Sequence, residues 1–514
     1  MGQRGWSRKY YLELEPPTEE DSRPDRRRIL EALEQQPELA GFQLRMGLAA
    51  LRSAGQLCRE ADWKITVTLG YDGSGFTVTR LEGGDTSAEH YGLCADLGST
   101  TIAMRLVDMQ TGSVKAEASV FNPQISRGGD ILTRIFYVKD QPAHGEELRR
   151  AVLSGFEELL KRLEQESGIC AAACSALILA GNTAMIHFLL GLEPFCVFQT
   201  PYAVHTLEPD VYPGRELGLG LEGFVYCYPG RANYLGGDIL SGVVASGLAE
   251  RKGISVFLDI GTNGELVIGN RDFLIAGAGA AGPALEGGVV RTGMRAYPGA
   301  VDRVRIRSGK IEVHTIGEEQ PRGICGSGIV DLLAQLFLNG WMDFQGRLAE
   351  GAAPCIAFAE GQLSVEYAPG LRFWQSDIDE FLKTKAAAGT MVEYMMRLLG
   401  ISLEDIDRFY VAGAFGTHIS KESGVTIGLY PDIDRDRLIL PGNTSLEGAQ
   451  RMLLDLSLRE KVRKILDLME YVQFGAVDDF LHLMTAARAV PHTDFRRYPS
   501  VMRELARRGR PLEG

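Results

Sequence analysis

The chain lacks any apolar run long enough to span a membrane, and its first residues, MGQRGWSRKYYLELEPP, contain no hydrophobic stretch of signal-peptide length. Cysteine is scarce for 514 residues: Cys58, Cys94, Cys170, Cys174, Cys196, Cys227, Cys325 and Cys355. So few, so widely spread, are no disulfide framework, and reduced, buried thiols are the expectation. A cytoplasmic location goes with that expectation. Basic charge is also in deficit: 54 Lys and Arg stand against 67 Asp and Glu, a net charge of −13. That balance argues against nucleic acid or an anionic membrane as the partner. No G-x-x-x-x-G-K-[ST] occurs, which excludes an ordinary P-loop ATPase, and no H-E-x-x-H occurs, which excludes the common zinc protease helix.

What is present is a composition ordinary for a globular protein, 45% hydrophobic and 24% charged, in a chain long enough for two or three domains. Residues 1–16 read as a linker segment ending at Pro16-Pro17, with strand-like alternation from residue 9. Residues 17–92 read as a small α+β domain. Helical spacing runs through Ile29, Leu30 and Leu33 and, after Pro37, through Phe42, Leu44, Leu48 and Leu51; residues 63–82 form a hairpin. From about residue 93 a larger α/β unit runs to residue 514, with one lobe at about 93–232 and a second at about 233–514. Ser376 with Asp379 predicts the capped start of a long helix over 377–399.

Within that unit one pattern is written twice. "ADLGSTTIAMRLVD" (95–108) and "LDIGTNGELVIG" (258–269) each end an apolar run with Asp-x-Gly, add small hydroxyl or amide residues, and resume as an alternating strand. Each opens a three-strand meander followed by helices. Gly98 and Gly261 let an anion approach the backbone. Ser99, Thr100 and Thr101, or Thr262 and Asn263, then supply amide and hydroxyl donors to phosphate oxygens. Asp96 and Asp259 suit a hydrated Mg²⁺, which takes few protein ligands and keeps its waters. One Asp-x-Gly turn is plain turn chemistry; its repetition is the signal. A strand running into glycines, "VAGAFG" (411–416), offers Gly413, Ala414 and Gly416 as a flat surface for a base and ribose.

The chain resembles the acetate and sugar kinase, heat-shock chaperone and actin superfamily, where two phosphate hairpins and an adenosine motif come in this order. Within it, the chain is most similar to the ATP-dependent reductive activators of corrinoid proteins. The resemblance rests on "NPQISRGGDILTRI" (122–135), "AGNTAMIHFLLGLEP" (180–194), "YLGGDILSGVVASGL" (234–248), "GAAGPALEGG" (279–288), "GICGSGIVDLLAQL" (323–336), "WQSDIDEFLKTKAA" and "PGNTSLEGA" (441–449). It covers residues 7 to 500. The resemblance implies an α/β fold with a two-lobed actin-like ATPase core, duplicated meander/helix lobes, and a small N-terminal α+β module. It implies ATP and Mg²⁺ between the lobes, and hydrolysis coupled to reduction of a corrinoid protein from Co(II) to Co(I). Relatives usually carry an N-terminal ferredoxin-like domain with a two-iron two-sulfur cluster. Its C-x4-C-x2-C spacing is missing here. Cys170 and Cys174, spaced C-x3-C, read as buried thiols, so no iron–sulfur cluster is expected in this chain. Electrons would then come from a separate donor, or from a ferredoxin domain cut from this polypeptide. A homodimer is compatible with all of this.

Further residues carry two readings each. Asp130 and Asp238 follow Gly-Gly and read as helix caps; the superfamily resemblance also makes them candidates for positioning water or metal. Ser327, in Gly-Ser-Gly at a helix start, could meet an anion. His187 reads as a packing histidine. Two G-x-G-x-x-G matches, Gly218/Gly220/Gly223 and Gly277/Gly279/Gly282, lack the strand-to-helix context of a dinucleotide site and read as loops. The rival function is a small-molecule kinase, with Asp238 as base. A non-redox nucleotide-gated binding protein is the third.

Overall fold

The computed structural model describes residues 4–261, 264–279, 290–413, 419–474 and 480–511. The chain forms two compact units: residues 1–245 with 444–467, and residues 246–443 with 468–514. Among the described residues no helix is long and apolar enough to cross a membrane.

The first unit begins with a four-stranded sheet of β1 (Ser7–Glu13), β2 (Gln43–Met46), β3 (Lys64–Tyr71) and β4 (Gly75–Gly83), in the order β1-β3-β4-β2. Here the sequence expectation needs correction. Phe42 and Leu44 flank or lie in a strand, not a helix, and the helix begins only at Leu48. Gly47, whose N–H bonds to Val78 O at 2.9 Å, separates the two periods. A six-stranded sheet follows: β5 (Tyr91–Leu97), β6 (Thr101–Asp108), β7 (Val114–Phe121), β8 (Ala176–Gly181), β9 (Tyr212–Pro213) and β10 (Phe224–Cys227), ordered β7-β6-β5-β8-β10-β9. Every residue of β8 is buried, as expected of a central strand with parallel neighbours on both sides. The helix His144–Ser167 buries Leu148, Val152, Phe156, Leu159 and Leu163, a 3.6-residue stripe, and stops at Gly168 in the left-handed conformation.

The second unit contains β11 (Ile254–Ile260), β12 (Gly264–Gly269), β13 (Leu274–Gly279), then β14 (Ala300–Arg307), β15 (Lys310–Thr315) and β16 (Gly323–Ile324) in one small sheet. Next come β17 (Ile356–Ala359), β18 (Gln362–Ala368) and β19 (Leu371–Trp374) in another, and finally β20 (Ile406–Ala412), β21 (Leu438–Gly442) and β22 (Met469–Gln473). Its main sheet is ordered β21-β20-β11-β12-β13-β22. The duplication is therefore topological. In each unit a meander's third, second and first strands are followed by two strands running parallel to the first: β7-β6-β5-β8-β10 and β13-β12-β11-β20-β21. The long helix runs Gln375–Leu399, two residues earlier than the expected start. Asp377, not Asp379, accepts the Trp374 N–H at 3.0 Å and caps it. Gly277 and Gly279 lie in β13 rather than in a loop. Each unit has its own apolar core, built on its main sheet.

Candidate functional site

Asp96 sits one residue before the end of β5, and Asp259 one residue before the end of β11. The two turns differ by one residue in length. Asp96 pairs with Ala103 and Leu97 with Ile102, leaving residues 98–101 to make the turn and begin β6; Asp259 pairs with Glu265 and Ile260 with Gly264, leaving residues 261–263. Both carboxylates are half-buried at a strand end, where the chain turns and backbone amides become available.

The first hairpin is held by side chains from far along the chain. The Gly98 N–H bonds to Thr101 O at 3.0 Å, so closely that a Cβ on Gly98 would lie 2.6 Å from that oxygen. Asn122, fully buried, donates from Nδ2 to Gly98 O at 3.0 Å, and its backbone N–H reaches Thr100 O at 2.9 Å. Asn122 is locked in turn by accepting the Gln124 N–H at 3.0 Å. Below it Arg134, with no exposed surface, donates to Gly128 O at 2.9 Å and Gln124 Oε1 at 3.1 Å. Its burial brings the guanidinium down to about 10. The "NPQISRGGDILTRI" stretch thus works as a brace under the turn.

Ser445 donates from Oγ to Asp96 Oδ1 at 2.9 Å. It opens the helix Thr444–Leu454, which returns to the first unit. The Ser445 carbonyl accepts from Ser241 Oγ at 2.6 Å, and the Gly448 carbonyl from the Tyr228 hydroxyl at 2.9 Å. This fixes that helix against Gly237–Ser246, whose first turn carries Asp238. Gly448 allows the close approach of the two helices, since a Cβ there would fall 2.0 Å from Ser241 O, while Gly236, before Asp238, packs against Asn182, where a Cβ would fall 2.5 Å from its Cα. Asp238 Oδ1 accepts the Ile239 N–H at 3.0 Å. Asp130 spends both oxygens on a cap, accepting Thr133 N–H at 2.7 Å and Thr133 Oγ at 2.9 Å.

The second hairpin is shaped by backbone proximity. Asp259 pairs with Ala412 of β20, and Gly413 follows with φ +95°. A Cβ there would lie 2.9 Å from Asp259 Oδ1 and 3.1 Å from Ile260 O. Asp259, Gly261 and Gly413 are therefore brought together; Thr262, Asn263, Ala414 and Gly416 lie outside the described residues. Ser327 is buried in the first turn of Gly326–Asn339 with its hydroxyl 3.3 Å from Cys325 Sγ, and Gly328 makes room for Val301 O. All eight cysteines are free, and the C-x3-C expectation holds for one partner alone: Cys174 is buried, its thiol pushed up to about 12 by burial, while Cys170 is exposed.

Sequence reasoning did not single out Asn122 or Ser445. An Asn-Pro directly after a meander strand was the available signal for the first. The second acts across a separation of 349 residues, which no local pattern marks.

Family models match end to end: the RACo linker region at residues 6–88, the RACo middle region at 91–251, and the C-terminal domain of RACo, the ASKHA domain, at 253–502. The corrinoid activation enzyme RamQ of Eubacterium limosum is 29% identical over 382 residues, 71% of this chain and 64% of that protein, so the chain spans just under two thirds of RamQ's length. A [Co(II) methylated amine-specific corrinoid protein] reductase of Methanosarcina barkeri is 22% identical over 413 residues, covering 73% of this chain and 72% of that one. A solved reductive activator for corrinoid, iron-sulfur protein is 35% identical with a TM-score of 0.89, covering 97% of this chain and 81% of that one. The chain belongs to the RACo family.

Proposed function

We propose that the chain is an ATP-dependent reductive activator, hydrolysing ATP to drive one electron onto the cobalt of a corrinoid protein, from Co(II) to Co(I). The observation that carries this reading is the match at 35% identity and TM-score 0.89, over 97% of the chain, to a reductive activator. The duplicated Asp hairpins support it. The residues fit Mg-ATP: two half-buried carboxylates at strand ends match the few protein ligands that Mg²⁺ takes, and Gly413 keeps clear, beside Asp259, a space that any side chain would fill. Mg-ATP, when bound, supplies the phosphoryl group that water accepts.

In this reading residues 93–514 form the ATPase core and 17–92 the small domain before it. Asp96 and Asp259 orient the metal's waters, and Ser445 holds Asp96 in a single orientation. Gly98, Ser99, Thr100 and Thr101, with Gly261, Thr262 and Asn263, donate to phosphate oxygens, while Gly413, Ala414 and Gly416 lie under adenosine. Asp238 positions the attacking water; Asp130 and Ser327 support the surrounding loops. The electron comes from a low-potential donor, either a separate protein or a ferredoxin domain. Coupling requires that ATP and ADP prefer different conformations of the chain, since a ligand shifts an equilibrium only by its differential affinity.

The test mixes the chain, a low-potential reductant and a Co(II) corrinoid protein, and follows Co(I) spectroscopically with and without ATP. ATP-dependent Co(I) formation is expected. If several corrinoid proteins show no such reduction and a small hydroxy or carboxy compound is phosphorylated instead, the reading is replaced by a kinase.

A further inference from the structure

Among the described residues, Glu193, Cys196 and His205 bring three different metal-ligating side chains together, with one ligand atom from each lying within 4.8 Å of the others. The local sequence explains the first two. The helix Thr183–Leu190 ends at Gly191, and a 3-10 turn, Phe195–Val197, follows Pro194. A carboxylate and a thiol three residues apart share one side of so tight a turn. The Glu193 carboxylate is fixed by accepting the Phe195 N–H at 2.6 Å and the Cys196 N–H at 3.3 Å. The Cys196 sulfur lies 3.2 Å from Glu193 O, and the N–H groups of His205, Cys196 and Val197 face it.

A second observation points into the same place. His187, on the preceding helix, has no exposed surface. Its Nδ1 lies 2.7 Å from Thr183 O, a contact that requires the proton on Nδ1 and leaves a lone pair on Nε2. That Nε2 is buried without a hydrogen-bond partner. The ring centroid is 6.0 Å from that of His205, and the ionisable groups it senses are His205 and Glu193. An imidazole bonded to a backbone carbonyl through one nitrogen, with the other unpartnered, is how a metal-ligating histidine is prepared.

We propose that Glu193, Cys196 and His205, with His187 Nε2 as fourth donor, form a binding site for a zinc-class divalent cation. One sulfur, two imidazole nitrogens and one carboxylate oxygen make a four-coordinate set that suits Zn²⁺ and disfavours Mg²⁺ and Ca²⁺, which take oxygen. Four protein ligands leave no open position, so the role is structural. The ion ties the turn carrying Phe195 and Phe198 to the helix of His187. This site is independent of the proposed nucleotide chemistry.

The test uses the full chain, stripped with a chelator and titrated with Zn²⁺ against a chromophoric competitor, then with Co²⁺ as a spectroscopic probe. One equivalent should bind, and the Co²⁺ form should show tetrahedral d–d bands and a thiolate-to-cobalt charge-transfer band. Cys196→Ser should abolish the charge-transfer band. His205→Ala, at an exposed position that leaves the fold intact by circular dichroism, should weaken Zn²⁺ binding at least on the order of 10–100-fold. His187→Gln should shift the d–d bands. Absence of saturable one-equivalent binding, or a charge-transfer band that survives Cys196→Ser, overturns the site. An unchanged spectrum in His187→Gln removes that residue as fourth donor.

Discussion

The two hairpins share the Asp-x-Gly motif at a strand end, with one residue more in the first turn, and the described contacts around them differ in kind. Around Asp96 the turn is pinned by directional hydrogen bonds from Asn122 and Ser445, each contributed by a segment distant in sequence. Around Asp259 the described neighbour is backbone: β20 lies alongside, and Gly413 brings the chain to within what would be 2.9 Å of the carboxylate. Hydrogen-bonded bracing fails gradually when one partner is removed, because each bond contributes about 0.5–1.5 kcal/mol. Close packing against a glycine fails abruptly, since any side chain must displace something.

The largest expected effect tests what the hairpins have in common. Asp259→Ala and Asp96→Ala should each lower ATP turnover on the order of 10²–10³-fold, the range for losing one preorganised electrostatic contact, while the thermal midpoint stays within a few degrees. Unchanged turnover in either variant, measured by phosphate release, would remove that carboxylate from the site. Next, Gly413→Ala should cost about 1–2 kcal/mol for a left-handed backbone conformation and, by pushing Asp259 aside, reduce turnover roughly 10-fold or more. Turnover equal to the unsubstituted chain would mean that the close approach has no bearing on Asp259.

Asn122→Ala removes a buried donor and acceptor, leaving Gly98 O and the Gln124 N–H unpaired. A loss of about 1–3 kcal/mol is expected, read as a lower denaturant midpoint and as faster hydrogen exchange of first-unit amides. Ser445→Ala should be milder, with a few-fold fall in turnover from about 1 kcal/mol; a loss as large as that of Asp96→Ala would show that Ser445 does more than orient its neighbour.

The units should also differ towards acid. Burial, with Lys9 nearby, brings His90 of the first unit down to about 3. Its folded pKa lies below the unfolded value near 6.5, so its contribution is complete above pH 6.5 and is lost as pH falls towards 3. In the second unit burial disfavours charge on Glu393, but hydrogen bonds from His492 and Arg497, with the charges of Arg497 and Arg397, outweigh it and bring the carboxyl down to about 2. That contribution is present above 4.5 and fades towards 2. Between pH 6.5 and 4.5 the first unit should therefore lose amide protection earlier, and His90→Gln should flatten the difference. Equal acid sensitivity of both units would contradict the assignment of His90.

The repeated hairpin was legible in the sequence because strand alternation and the Asp-x-Gly turn are local signals. The same holds for the helix His144–Ser167, with its buried stripe and terminal glycine. What resisted reading was non-local or composite. Phe42 to Leu51 merged into one helical period because Gly47 separates a short strand from a helix without interrupting the apolar spacing. The contact between Ser445 and Asp96 depends on a segment crossing back between units, and the meeting of Glu193, Cys196 and His205 on the path of an irregular loop. Neither leaves a periodic trace.

The return of residues 444–467 to the first unit has a consequence for taking the molecule apart. The chain passes between units after residues 245, 443 and 467, so three covalent strands join them. One proteolytic nick at any of these points leaves both units tethered, and two nicks still leave one connection. A truncation ending before Thr444 would keep Asp96 while discarding the hydroxyl that orients it. The first unit is therefore a discontinuous folding unit: it can be rebuilt only from two pieces of chain, and fragment complementation, not simple deletion, is the way to obtain it alone.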